Sequence, residues 1–262
     1  MNKPGSPYLA AYIGLVTVFL LSPIVIAIIL AFSNVSQLVF PPPGLSIEWY
    51  VVVWENRKFV DGFVVSTIIA TISSIMAGVA GTLAGIAINN YRFFGRSAIQ
   101  SLVIMPLIIP AVVIGLGLLQ TLVPVGIRPG ILAASLGHSI IGIPYVVFLV
   151  LAALSGYDIR LEHAAQSLGA TRLRTFLDIT FPAVRPGMIA GVAFAFLMSF
   201  DNVAMSIFLA RGDPLPLRLM QHIQYYADPS VAAVSTVLVV ISLVGLILIG
   251  RLLRKRDVGN LV

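Results

Sequence analysis

The sequence predicts an all-α membrane protein with about six transmembrane helices, and three observations carry that prediction. Of its 262 residues, 59% are hydrophobic and only 10% charged. The mean hydropathy of +1.03 leaves most of the surface to face lipid. Apolar stretches recur at lengths that cross a hydrocarbon core, which takes roughly 20 residues of helix. Runs such as Val231 to Gly250 show no strand alternation, which excludes a porin-type barrel, because backbone groups in lipid must bond within a helix or a closed barrel.

The first span is expected from Tyr8 to Ser33. Lys3 precedes it as in a signal peptide, but an apolar run of about 25 residues is too long for a cleavable segment, so a retained helix is predicted. Trp49, Tyr50 and Trp54 follow in the connection from Asn34 to Phe59, where aromatics mark the lipid interface. The second span, Val60 to Asn89, places Ala77, Gly81 and Gly85 every four residues, a small-residue stripe that admits another helix closely. The third, Ser97 to Val123, carries Pro106 and Pro110 and then Gly115 and Gly117, so it is expected to bend, either to line a path or simply to pack.

The fourth span, Ile131 to Ser155, contains His138, read as a hydrogen-bonded interior residue because no partner stands at metal-site spacing. The fifth, Met188 to Ala210, contains Asp201, whose carboxylate costs about 2.5 to 3.5 kcal/mol within a span and is normally kept for function. Two readings stand: Asp201 lines a path and attracts a cationic solute, or it pairs with Arg211 or caps a broken helix. The sixth span, Val231 to Gly250, is followed by Arg251, Arg254, Lys255 and Arg256, a stop-transfer anchor that also attracts anionic headgroups.

A formal charge of +6 suggests nucleic acid, but in a membrane protein the distribution of cations decides. With a cytoplasmic N-terminus, Lys3, Arg92, Arg96, Arg160, Arg172, Arg174, Arg185 and the last four lie inside, leaving Arg57, Lys58, Arg128, Arg211 and Arg218 outside. Both termini are therefore expected in the cytoplasm, and no nucleic-acid partner is expected. The chain reads as one domain, residues 1–262, because no long polar linker divides it. Without cysteine there is no disulfide framework, thiolate metal site or nucleophilic thiol, and no metal site or catalytic residue is assigned.

The connection between the fourth and fifth spans, about 156–185, is the longest on its side, and such loops are usually short. Leu161, Ala164, Ala165 and Leu168 form one apolar helical face, with Asp158 as N-cap and Gly169 as terminator. A second helix is expected from a Thr171 cap, with Leu173, Phe176 and Leu177 on one face and Pro182 as its stop. Periodicity alone leaves two fates open for this amphipathic pair, the bilayer surface or a docked partner.

The segment Leu161-Glu162-His163-Ala164-Ala165-Gln166-Ser167-Leu168-Gly169-Ala170, continuing to Phe176, Ile179, Pro182 and Pro186, resembles the signature loop of binding-protein-dependent ABC transporter permeases. The resemblance covers roughly Phe63 to Arg251 and implies the type I importer permease architecture in a bacterial inner membrane. In that family the loop is a coupling helix seated in a groove of a separate ATPase subunit. Glu162, His163, Ala164, Ala165, Gly169 and Ala170 are thereby implicated in coupling, with Ala164, Ala165 and Gly169 as the docking core. The family pattern usually has Glu directly before the paired alanines; here His163 holds that position and Glu162 precedes it.

His138 with Pro144-Tyr145-Val146-Val147, Ser199-Phe200-Asp201-Asn202, and Leu215-Pro216-Leu217 are similar to the polyamine-type branch, the spermidine and putrescine permeases. Iron, thiamine, sulfate and opine importers share parts of the pattern. The resemblance implies a small amine solute, a dimer of ATPase subunits, a second and related permease, and an external solute-binding protein, for which the Asn34 to Phe59 connection is a second candidate contact besides the lipid interface. Asp201, Asn202, Pro106 and Pro110 are the expected path residues. No cofactor is expected on this chain, because a phosphate-binding loop needs Gly-Lys, and Lys3, Lys58 and Lys255 follow Asn2, Arg57 and Arg254. Two rival classes are weaker: an intramembrane enzyme, for which Ser139 and Ser199 show no evident base, and a secondary transporter, which leaves the long loop unexplained.

Overall fold

A computed structural model describes residues 7–226 and 228–257; Lys3 and the side chains of the Arg251 to Arg256 cluster lie outside what is described. Among the described residues the regular structure is helical: α1 (Pro7–Ala31), α2 (Glu48–Glu55), α3 (Arg57–Asn90), α4 (Arg96–Ile108), α5 (Ala111–Leu122), α6 (Ile131–Leu154), α7 (Arg160–Ser167), α8 (Arg172–Thr175), a π-helical turn (Phe176–Thr180), α9 (Phe181–Phe200), α10 (Val203–Leu209), α11 (Leu215–Tyr225) and α12 (Ser230–Asp257). Among the described residues, four helical stretches are long and apolar enough to cross a membrane: Tyr8–Ala31, Arg57–Asn90, Ile131–Leu154 and Arg172–Phe200. The bent pair α4 and α5 makes a fifth if it is one span, and Ser230–Gly245 is a shorter apolar helix. All six expected stretches are thus helical, although length and composition license four or five spans.

The third and fifth stretches are not single rods. Pro110 forces the preceding Ile109 into an extended conformation (φ −77°, ψ 130°), so α4 and α5 meet at 109°, a break rather than the expected bend. The stretch from Met188 to Ala210 divides at Asp201 and Asn202, because the Asn202 side chain accepts the Met205 N–H (3.0 Å) and opens a new helix, α10. Pro182 does not stop the helix before it, as the loop pattern suggested. It sits in the first turn of α9, where its missing N–H costs little, and the π turn just upstream absorbs the proline with an i→i+5 register. The second loop helix and the fifth span are in consequence one run, Arg172–Phe200.

The described residues fall into two compact units, 1–60 with 219–262, and 61–218. In the first, α1 packs against α12, and α12 also meets α2. His222, expected in a loop, lies on α11, where its Nε2 is 3.2 Å from Asp228 and 3.1 Å from Ser230 Oγ. In the second, α6 packs along α9, and one core cluster joins Ala77 and Ile86 of α3, Val146, Val150 and Leu154 of α6, and Val184 and Ala195 of α9. A second gathers Ile69, Ala133, Ala134, Ile141, Met205 and Leu209 where α10 meets α5 and α6.

The small-residue stripe performs as expected. A Cβ on Gly81 would lie 2.7 Å from Val146 Cβ, and one on Gly85 2.7 Å from Val150 Cγ1, so these valines of α6 seat directly on the bare backbone of α3. Leu215, Pro216 and Leu217 are buried, and the Leu215 N–H donates to Ser66 Oγ on α3 (2.9 Å), which gives that motif a packing role.

Candidate functional site

The loop between α6 and α9 is built by side chains that satisfy its helix ends. Asp158, expected as the N-cap, stands one residue before it, the cap position being Ile159; the Asp158 Oδ1 accepts the Arg160 N–H (2.9 Å) and its Oδ2 pairs with Arg160 Nε (2.9 Å). Those contacts hold its carboxyl below the usual range, the backbone hydrogen bond contributing most. At the other end Gly169 takes φ +91°, a left-handed conformation that glycine adopts without steric cost. The Gly169 N–H then donates to the Gln166 carbonyl (3.0 Å) and the Ala170 N–H to the Ala165 carbonyl (3.0 Å), the paired closure of a Schellman motif. Thr171 caps α8 as expected, its hydroxyl accepting the Arg174 N–H (3.3 Å).

These closures fix which residues face outward. Leu161 is 54% exposed and Leu168 90%, with His163 and Ala164 exposed and Ala165 half-buried. Glu162 turns the other way: its Oε1 accepts from Tyr157 Oη (2.7 Å), Thr180 Oγ1 (2.8 Å) and Asn90 Nδ2 (3.0 Å). The π turn also splits the predicted second face, for Phe176 packs on the core while Leu173 and Leu177 stay exposed. Four exposed leucines on so short a segment form an apolar surface that a soluble loop would not keep.

The expected path residues stand at two helix breaks. Pro106 is inside α4 and Pro110 caps α5, at the break between them. Asp201 ends α9 and Asn202 begins α10. Among the described residues the exposed Asp201 carboxylate makes no hydrogen bond or ion pair, so it is not paired with Arg211, and the capping at this break belongs to Asn202.

Behind that break runs a polar chain that sequence reasoning missed. Ser73 Oγ donates to Ser199 Oγ (2.8 Å), Ser199 Oγ is 2.8 Å from His138 Nδ1, His138 Nε2 is 3.4 Å from Ser206 Oγ, and Ser206 Oγ donates to the Asn202 carbonyl (2.6 Å). Ser199 therefore does have a neighbouring base, contrary to expectation, but both partners are buried and, among the described residues, a serine rather than an acid meets the other ring nitrogen, so the geometry serves packing across α3, α6, α9 and α10. Replacing His138 with alanine leaves Ser199 and Ser206 short of a partner. The expected cost is about 2 kcal/mol, read as a lower unfolding midpoint in detergent.

Residues 77–258 match the family described as the binding-protein-dependent transport system inner membrane component. The chain is 29% identical to the spermidine/putrescine transport system permease protein PotC of Haemophilus influenzae, across 94% of this chain and 96% of that one. It is 28% identical to the putrescine transport system permease protein PotI of Escherichia coli (92% and 89% covered), and 30% identical to the sulfate transport system permease protein CysT of Salmonella typhimurium (86% and 88% covered). In fold it is similar to a chain of a bacterial ABC transporter that imports the acidic polysaccharide alginate (TM-score 0.69, 14% identity, 97% and 99% covered). It is also similar to a chain of the MetNI methionine ABC transporter (TM-score 0.62, 16% identity, 78% and 97% covered).

Proposed function

The chain belongs to the family of binding-protein-dependent transport system inner membrane components, and on that premise we propose that it is the permease subunit of an ATP-driven importer for a polyamine or a similar small cationic amine. It is a transport subunit of a membrane rather than an enzyme. In this reading it sits in a bacterial inner membrane with both termini cytoplasmic. It pairs with a second, related permease, receives solute from an external solute-binding protein, and is driven by a dimer of ATPase subunits that bind the ATP. The exposed face of Leu161, Ala164 and Leu168 at α7 carries the coupling role, because it is apolar, capped at both ends and joined by the short Gly169 turn to the run that leads into α9. A groove in the ATPase that buries these leucines would gain the hydrophobic free energy their exposure forgoes.

The amine reading is supported by similarity to PotC and PotI together with an exposed, unpaired Asp201 carboxylate at the α9–α10 break. The similarity to CysT favours a second reading, an importer of an anion such as sulfate, which the same carboxylate would repel. Asp201→Asn separates them. Uptake of an amine is expected to weaken by about threefold to tenfold, the effect of one solvent-screened charge, with ATPase assembly unchanged. Unaltered transport kinetics would remove Asp201 from the path.

The proposal as a whole is tested by purifying the tagged protein from its native membrane, identifying what accompanies it by mass spectrometry, and measuring ATP hydrolysis with and without candidate solute-binding proteins. Recovery of an ATPase whose hydrolysis a polyamine-loaded binding protein stimulates is the expected result. A lone protein without hydrolysis would return the secondary-transporter reading.

A further inference from the structure

We propose that Glu162 is a positioning residue that ties α7 to the ends of three membrane helices and so carries displacement of α7 into the spans. This rests on the permease reading above and assigns Glu162 a role distinct from docking. One carboxylate oxygen gathers three donors from three places in the chain. Tyr157 Oη (2.7 Å) follows the end of α6, Thr180 Oγ1 (2.8 Å) lies in the π turn that leads into α9, and Asn90 Nδ2 (3.0 Å) is the last residue of α3. The donors are themselves held: Asn89 Nδ2 donates to Asn90 Oδ1 (2.8 Å), and Tyr157 Oη lies 3.4 Å from Thr180 Oγ1, which is buried.

The tie adds what the covalent chain does not supply. α6 and α9 flank α7 in sequence and feel its movement through the backbone, whereas Asn90 stands 72 residues before Glu162 and is reached through space. No residue of α7 is buried, so packing holds this helix weakly, and hydrogen bonds to a charged acceptor dominate its attachment. Glu162 is half-buried while Leu161, His163 and Ala164 around it are exposed, so the carboxylate points away from the face available to a partner. Burial, aided by the hydrogen bond to Glu162 and its charge and opposed by the contact with Thr180, pushes the Tyr157 phenol up to about 12, and it therefore remains a donor at neutral pH.

Two variants divide the geometry. Glu162→Ala removes the acceptor, and Glu162→Gln keeps an acceptor oxygen at nearly the same position. Each would be assayed in the assembled transporter reconstituted in proteoliposomes, as solute transported per ATP hydrolysed, and in the full-length chain alone by amide hydrogen exchange across residues 160–168. For Glu162→Ala the ATPase should stay bound and continue to hydrolyse, with solute moved per ATP falling tenfold or more and exchange across α7 rising by at least the same factor. Glu162→Gln should recover at least half of the wild-type ratio. Wild-type transport per ATP in the alanine variant would overturn the proposal, and loss of the ATPase from it would make Glu162 a docking contact instead. Unchanged exchange in the alanine variant also overturns the tie, whether or not an ATPase is present. If the wild-type chain recruits no ATPase, the permease reading fails, while exchange still decides the tie.

Discussion

Leu168→Asp is expected to abolish solute uptake and ATPase association together, while the chain still inserts and folds. Leu168 is 90% exposed at the C-terminal end of α7, immediately before the left-handed Gly169, so a carboxylate there meets water in the isolated chain and disturbs no core. In the docked state the same carboxylate would be stripped of water with no partner provided. That penalty and the lost apolar contact together exceed about 2 kcal/mol, the size of an interface hot spot, or roughly a thirtyfold loss of affinity. Co-purification of the ATPase and uptake into vesicles measure the loss, and an unchanged size-exclusion profile establishes that folding is intact. An aspartate variant that retains its ATPase would place this face against the bilayer surface, the other fate open to an amphipathic helix of this kind.

Gly187→Leu has the largest expected effect on the protein itself. A Cβ at Gly187 would fall onto the Leu149 carbonyl oxygen of α6 and lie 2.8 Å from Ala153 Cβ, and one at Gly191 would lie 2.8 Å from Val146 Cα. These neighbours are backbone or a methyl attached to it, so no rotamer change relieves the clash, and α6 and α9 would have to part along their main contact. Overpacking of that kind costs about 3 kcal/mol or more, enough to unfold a marginally stable chain. A thermal unfolding midpoint lower by many degrees, or failure to accumulate in the membrane, is the expected measurement. Gly117→Leu is the control, because a Cβ there meets nothing within 4 Å. Equal loss in both variants would mean that added bulk at any of these glycines, rather than the close approach of α6 and α9, governs the effect, since helix propensity alone favours leucine over glycine.

The apolar lengths, the stripe of Ala77, Gly81 and Gly85, the Thr171 cap and the Gly169 terminator were all legible in the chain, because each depends on residues within a turn or two of one another. The exposed face of Leu161, Ala164 and Leu168 was legible for the same reason, since helical period alone puts these residues together. Pro182 misled because a proline is a stop only where a helix would need its N–H. The π turn from Phe176 to Thr180 has no sequence signature, and it turns that proline into the first turn of α9. The breaks at Ile109 and Asn202 were half legible: proline and an aspartate–asparagine pair announce an irregularity, but their direction and angle depend on what the flanking helices pack against.

The sequence by itself determined a helical membrane protein and the place of its α6–α9 loop, for these follow from composition, period and short-range capping, while the family was legible only through the resemblance of that loop's residues to a known signature. Only the tertiary structure decided which way the loop's polar residues point. Glu162 and His163 are adjacent, about 100° apart on a helix, and nothing local selects the inward one. The choice is made by Asn90, Tyr157 and Thr180, three donors brought together from distant parts of the chain around one carboxylate oxygen. The chain of Ser73, Ser199, His138 and Ser206 was hidden for the same reason, because a hydrogen bond between four helices has no spacing in sequence.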